Sequence, residues 1–235
     1  MVKTLCIVQA RLTSSRLPNK VLMPLAGKTI LEHVNDRLSR VLGIDKVVFA
    51  IPDNTLNDKL EFFLKEKSIE YFRGSENDVL DRFYQCAIQY NPEIVVRATC
   101  DNPLVDMQLA EDVIGSLGEN DYMHCKTCSL GTAVEVFKMS ALREAYANAK
   151  KDIEHEHVTP YIWKHPNLFK VEMFKYQGPS FRLTVDEDKD YELMCNLYNE
   201  FYHGNPIDNK IVYTHYFHLF CCELSLMCIS SSAEI

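Results

Sequence analysis

The chain has 235 residues, 47% of them hydrophobic, and a formal net charge of -8 at pH 7. That length and apolar content suit one sizeable domain with a real core, and the acidic balance without basic blocks excludes a protein that works by neutralising nucleic-acid phosphates. No apolar run approaches the length of a membrane helix and the first leads into Arg11, so neither a span nor a secretory signal is expected and a cytoplasmic protein is.

The first apolar run, Leu5-Cys6-Ile7-Val8, is too short for a helix and is predicted to be a buried strand. It empties into Gln9-Ala10-Arg11-Leu12-Thr13-Ser14-Ser15-Arg16-Leu17-Pro18-Asn19-Lys20, which sets three cations and three hydroxyls on one short loop. No acidic residue occurs from Met1 to Leu31, so positive potential is concentrated here, as it would be to steer an anion. Pro18 fixes its own φ and restrains Leu17, which pre-organises the charges on either side. A strand running into such a loop puts N–H groups and positive charge at the sheet's carboxyl edge, where open α/β folds bind ligands. The loop reads as a polyphosphate site. Gly27-Lys28-Thr29 imitates the end of a P-loop, but that motif needs a glycine where Leu22 stands. Thr29-Ile30-Leu31-Glu32 reads instead as a capping box opening a helix over 30–42, with Ile30, Val34, Leu38 and Val41 at helical spacing.

Further strands are predicted over 46–51, closed by Pro52, and over 94–98. Helices are predicted over 56–67, over 79–90 after Ser75-Glu76-Asn77-Asp78, and from Asp106 to about Gly118. This alternation predicts βαβ units and a largely parallel sheet. The second half is less regular: a strand at 134–137, helices at 140–149 and 157–165, strands at 170–175 and 181–185, and a helix from about 189 to 202. Strands in two groups make the sheet mixed. Composition shifts after Gly204-Asn205-Pro206, so a single domain is read over 1–205 and a C-terminal tail without assigned structure over 206–235.

Nine cysteines, an odd number, read as reduced thiols. Cys125-Lys126-Thr127-Cys128 is a lone CxxC; a structural metal, a redox pair and incidental thiols all stay open, the last favoured. His155-Glu156-His157 is too short for a helical metal pair and reads as capping or solvent-facing. Asp101 and Asp186 each follow a β-type run. Taken singly each is a cap or turn former; together, beside the cationic loop, they suit Mg²⁺, which prefers one or two carboxylates completed by substrate phosphate.

These segments together resemble the cytidylyltransferases that activate acidic sugars, the acylneuraminate and ketodeoxyoctonate group, and within them the branch of spore coat polysaccharide biosynthesis protein F. The resemblance is carried by Gln9-Ala10-Arg11, Arg16-Leu17-Pro18, Phe72-Arg73-Gly74-Ser75, Asp78-Val79-Leu80-Asp81-Arg82, Asp101-Asn102-Pro103, Glu156-His157-Val158-Thr159-Pro160 and Arg182-Leu183-Thr184-Val185-Asp186. It implies an α/β fold of the three-layer α/β/α nucleotide-diphospho-sugar transferase type, GT-A-like and Rossmann-like, with a mixed, mostly parallel sheet. It also implies transfer of CMP from CTP to a sugar acceptor, with Mg²⁺ as cofactor, and a homodimer built through the second half around 134–137 and 169–176. The resemblance gives Gln9, Ala10, Arg11, Ser14, Arg16, Lys20, Arg73, Asp78 and Arg82 to the nucleotide, and Arg11, Lys20 and Asp101 to catalysis. Asp101 and Asp186 fall to the metal, and Glu135, His157 and Arg182 to the sugar. Departures are Thr13, Asn19 and Cys100 where the family has glycine, the first two expected to obstruct close backbone approach to phosphate, and Leu130-Gly131-Thr132-Ala133 for Asp-Gly-Leu-Asp. A silent nucleotide-sugar binding or partner protein and a glycosyltransferase are the alternatives on this fold; the cationic loop favours free triphosphate.

Overall fold

The computed structural model of the chain describes residues 2–215. One seven-stranded sheet is built from β1 (Thr4–Gln9), β4 (Lys46–Pro52), β5 (Tyr71–Gly74), β6 (Ile94–Thr99), β7 (Tyr122–His124), β8 (Glu135–Lys138) and β9 (Val171–Met173). A separate antiparallel pair is formed by β2 (Pro24–Leu25) and β3 (Lys28–Thr29). The main sheet runs in the order β5-β4-β1-β6-β8-β7-β9. Its pairs are parallel except for β8, which runs antiparallel to both β6 and β7. It is mixed and mostly parallel, as the sequence implied.

The centre is buried on both faces because β1 is apolar at four successive positions, Leu5 to Val8. Cys6 and Val8 join one core cluster with residues of α1 (Ile30–Leu38), α2 (Asp58–Glu66), α4 (Met107–Gly115) and α8 (Asp188–Phe201). Leu5 and Ile7 join the other, with residues of α3 (Val79–Tyr90), α5 (Met139–Asn148) and α7 (Pro160–Lys164). Strand side chains alternate between faces, so two helical layers enclose one sheet.

Local signals placed several helix starts. Thr29 and Glu32 form the reciprocal capping box of α1, and the carboxylates of Asp78 and Asp106 accept from Asp81 N–H and Leu109 N–H at the starts of α3 and α4. α1 stops at Leu38, short of the expected end, and Leu42 is exposed.

Two expectations need correction. The helix expected over 157–165 is shorter, α7 (Pro160–Lys164), and is preceded by a separate α6 (Asp152–His157), the break falling at Val158, whose φ is 71°. Pro160 lacks an N–H and its ring clashes inside a helix, so it stands at the first turn of α7. Residues 181–185 are extended but form no ladder; they make an isolated bridge, Leu130 to Arg182. β5, β7 and α6 were not foreseen.

Beyond Pro206 the chain continues into the core. Ile207 and Val212 are buried, and the buried Arg37 donates to the Val105 carbonyl (2.7 Å), the Ile207 carbonyl (2.8 Å) and the Asn209 side chain. Residues 206–215 thus pack with the domain, and the remaining stretch of the tail, 216–235, lies outside the described residues.

Candidate active site

The loop leaving β1 is tied down along its length. Leu12 and Leu17 are buried beneath it, the Leu12 N–H donates to Oδ1 of buried Asn57 (2.9 Å), and the Asn19 N–H donates to the Leu12 carbonyl (3.0 Å). Asn19 has φ 59°, the left-handed region that asparagine enters more readily than other side chains. Thr13 turns its hydroxyl away to Glu76, donating at 3.0 Å. Neither side chain lines the cleft that the loop bounds, so the obstruction expected at these positions does not arise.

That cleft lies at the carboxyl ends of β1 and β6. Gln9, Ala10, Arg11, Ser14, Arg16 and Lys20 line it from the loop; Thr99, Cys100 and Asp101 line it from the end of β6, Arg82 from α3, Glu156 and His157 from α6, and Asp186 from before α8. Cys100 buries its side chain in the core, and burial pushes its thiol well up.

Lys20 is the hinge of the arrangement. Its side chain is buried, and Nζ donates to Asp101 Oδ2 (2.9 Å), Asp186 Oδ1 (3.0 Å) and the Val185 carbonyl (2.7 Å). Two carboxylates from distant segments therefore converge on one point. The backbone brings them there: the Val185 N–H donates to the Asp101 carbonyl (2.8 Å), and the Leu183 N–H to the Leu130 carbonyl (2.8 Å). Gly131, at φ 91°, makes that approach possible, because a Cβ there would sit 2.7 Å from the Leu183 carbonyl carbon and the Thr184 nitrogen.

Each carboxylate is further held. Asp101 Oδ1 accepts from the Thr99 hydroxyl (2.6 Å); Asp186 pairs with Arg16 (3.1 Å) and with Arg182 (3.1 Å). Burial works against ionisation of Asp186, yet the hydrogen bond and charge of Lys20, with Arg16 and Arg182, hold its carboxyl below the usual range. Arg182 also grips Asp190 through two bonds of 2.9 Å. That pair, with burial opposing and the Asp186 and Glu187 N–H groups assisting, lowers the Asp190 pKa to about 2.

Arg82 is different in kind. It is only 2% exposed, donates one N–H to the Ser75 carbonyl, and leaves Nε without a partner. Burial, then the like charge of Arg11, lowers its pKa to about 10. A buried cation beside another cation, with an unspent donor, is a site waiting for an anion.

Not every residue expected at the site reaches it. Arg73 faces away, bound to Glu61, to Asp58 (2.9 Å) and to the Asn54 carbonyl (2.9 Å). Asp78 caps α3 and pairs with His155 at 2.8 Å, outside the cleft lining. Arg182 acts through Asp186 and Asp190. Glu135 lines an adjoining cavity that shares Thr99 with the cleft, and it is bound to Arg97 (2.5 Å), Thr159 (2.8 Å) and Tyr122. Arg97, in turn, donates to Gln9 Oε1 at 3.0 Å, which points the Gln9 amide nitrogen elsewhere. Thr99, Arg97 and Glu156 were missed by sequence reasoning, although the first two flank Asp101 and the last adjoins His157. Cys125 and Cys128 are buried beside the adjoining cavity, the Cys128 thiol pushed up to about 12 by burial.

A strand-end cleft with a pinned cationic loop and paired aspartates is the setting in which the comparisons with known proteins fall. The profile of the family described as Cytidylyltransferase matches residues 5–211. This chain belongs to that family. The cytidylyltransferase is 39% identical over 208 residues to an uncharacterized protein of Methanocaldococcus jannaschii, 85% of either chain. It is 35% identical over 207 residues to the spore coat polysaccharide biosynthesis protein SpsF of Bacillus subtilis, covering 83% of this chain and 86% of that one. Among solved structures it superposes on a cytidylyltransferase from Leptospira borgpetersenii with a TM-score of 0.85 at 27% identity, over 93% of this chain and 95% of that one. The fold is that of the nucleotidyltransferases, and no helix among the described residues is long and apolar enough to cross a membrane.

Proposed function

We propose that this nucleotidyltransferase binds CTP in the cleft and transfers CMP to an acidic sugar, releasing pyrophosphate, with Mg²⁺ as cofactor, for a surface polysaccharide or glycan. The observation that carries the reading is the convergence of Asp101 and Asp186 on Lys20, inside a cleft where Arg11, Arg16 and Arg82 face the same space. The likeness to a spore coat polysaccharide biosynthesis protein supports the destination of the product.

The donor set fits the metal. Among the described residues no group of three or more His, Cys, Asp and Glu is placed to hold an ion, so a site here has two carboxylates and needs substrate oxygens to complete it. Mg²⁺ is held in that way. When bound, it supplies charge neutralisation at the phosphates.

The chain's own residues do the rest. Arg11, Arg16, Lys20 and Arg82 bind the triphosphate, and the sugar oxygen attacks the α-phosphorus as the bond to the β-phosphate oxygen breaks. The electron pair leaves with pyrophosphate. The adjoining cavity, with Asn102, Lys126 and Ser180 in its wall, is the space for the acceptor. His157 and Glu156 border the cleft and orient the attacking hydroxyl, whose proton is released to solvent as its oxygen bonds to phosphorus. No protein nucleophile is needed: positioning and charge stabilisation carry phosphoryl-type transfer.

Pyrophosphate release from CTP, measured across a panel of acidic sugars with Mg²⁺, is expected to fall by about a thousandfold in Asp101→Ala, the scale of losing a transition-state contact. Unchanged turnover removes the metal role. The protein is further proposed to act in the cytoplasm as a homodimer. Val134, Val136 and Phe137 are buried within the chain, which leaves the edge strand β9 and exposed Leu168 and Met173 as the surface for association. A light-scattering mass of one chain refutes it.

A further inference from the structure

We propose that Lys20 is a built-in cation that bars a free divalent metal from the site, so that the metal enters with the nucleotide and not before it. This rests on the reading of the cleft as a nucleotide and metal site. Asp101 Oδ2 and Asp186 Oδ1 both lie within 3.0 Å of Nζ, so an ion held by these two carboxylates would compete with the ammonium for the same oxygens. Like charges at that separation repel strongly in a half-buried site. One of the two has to leave.

The partner count decides which. Lys20 uses all three of its donors, on Asp101, Asp186 and the Val185 carbonyl. No oxygen of either carboxylate is without a donor: Lys20 and Thr99 hold those of Asp101, and Lys20, Arg16 and Arg182 those of Asp186. A bare ion therefore competes with the ammonium of a residue only 8% exposed, and displacing it leaves that charge beside a protein wall without a counter-charge. A triphosphate reverses the balance. Its oxygens offer Lys20 and Arg16 new acceptors at the cleft they already line, and the carboxylates so released meet the ion that the phosphates carry. A lysine suits this exchange, being a compact charge on a flexible stem.

The test is Mn²⁺ binding without nucleotide, read from the free-ion signal by electron paramagnetic resonance. Lys20→Met is expected to bind Mn²⁺ at least about tenfold more tightly than wild type, within the roughly 5- to 150-fold span of ordinary site coupling. Equal affinities overturn the proposal. Adding Asp101→Asn to Lys20→Met is expected to abolish the gain; a gain that survives places the metal elsewhere and sinks the underlying reading instead. Should Lys20→Met fail to fold, the wild-type Lys20 ammonium is followed by ¹⁵N nuclear magnetic resonance. Mg²⁺ alone is expected to leave its signal in place and Mg²⁺ with CTP to move it; movement with Mg²⁺ alone overturns the gate.

Discussion

Arg73, on β5, and Arg82, on the helix that follows, belong to consecutive elements, and one is spent while the other is not. Arg73 meets Glu61, Asp58 and the Asn54 carbonyl at a half-exposed edge of the sheet, so its charge and its donors are answered within the protein. Arg82 is buried, faces another cation in Arg11, and keeps Nε unpaired at the cleft. Charge alone does not mark a binding residue. What marks it is a cation that has given up water with a donor still unanswered, because that cost is recovered when an anion arrives. Lys20 stands between the two cases, fully partnered by groups that a ligand can claim.

The sharpest break in this comparison is Arg82→Met. Hydrogen bonds to charged groups contribute about 1.5–3 kcal/mol, so the Kd for CTP, read by calorimetry, is expected to rise roughly ten- to a hundredfold. Thermal stability is expected to hold or increase, since an apolar side chain of similar volume removes a buried, incompletely paired charge. A loss of stability with unchanged CTP affinity makes Arg82 a structural residue and ends the distinction.

Much of the frame was legible because its signals are local. Thr29, Asp78 and Asp106 cap the helices they precede, and the apolar run after Lys3 is buried on both faces. β5 and β7 escaped notice because each is short, four and three residues, and β5 is half-buried throughout, without alternation. The β-type runs before Asp101 and Asp186 suggest two strand ends. Asp186 arrives differently, through single hydrogen bonds from 183 and 185 to Leu130 and Asp101, which have no period to read. Partner counts were the least visible of all: the acids that consume Arg73 lie on a different element, the preceding helix α2.

Asp190 sharpens the spent side. Its pKa of about 2 is set first by the Arg182 hydrogen bonds, with burial opposing and the N–H groups of Asp186 and Glu187 helping. The folded value lies below the ordinary 3.8, so the unfolded chain binds more protons in between. The stability this carboxylate contributes is present above the unfolded value and is lost as pH falls toward about 2. Asp190→Asn is expected to lower stability at neutral pH and to flatten the decline between about pH 4 and 2, followed by urea melts across that window. An unchanged slope means the pair is not the source of the shift.

The smallest effects belong to residues that only shape the surroundings. Arg73→Met removes a partly exposed ion-pair set and is expected to change stability by about 1 kcal/mol, with CTP affinity unchanged; an affinity loss matching that of Arg82→Met would erase the contrast between the two arginines. Asn19→Gly is expected to be near silent, because φ 59° suits glycine and the Asn19 side chain makes no capping bond for the 3₁₀ turn that follows. Asn19→Ala keeps the chain but not the tolerance for that φ, and is expected to cost about 1 kcal/mol in a denaturant melt. If alanine is as stable as glycine, the left-handed turn does not hold the loop, and the pre-organisation of Arg16 and Lys20 has to come from the buried anchors Leu12 and Leu17 and the bonds to Asn57 and Glu76.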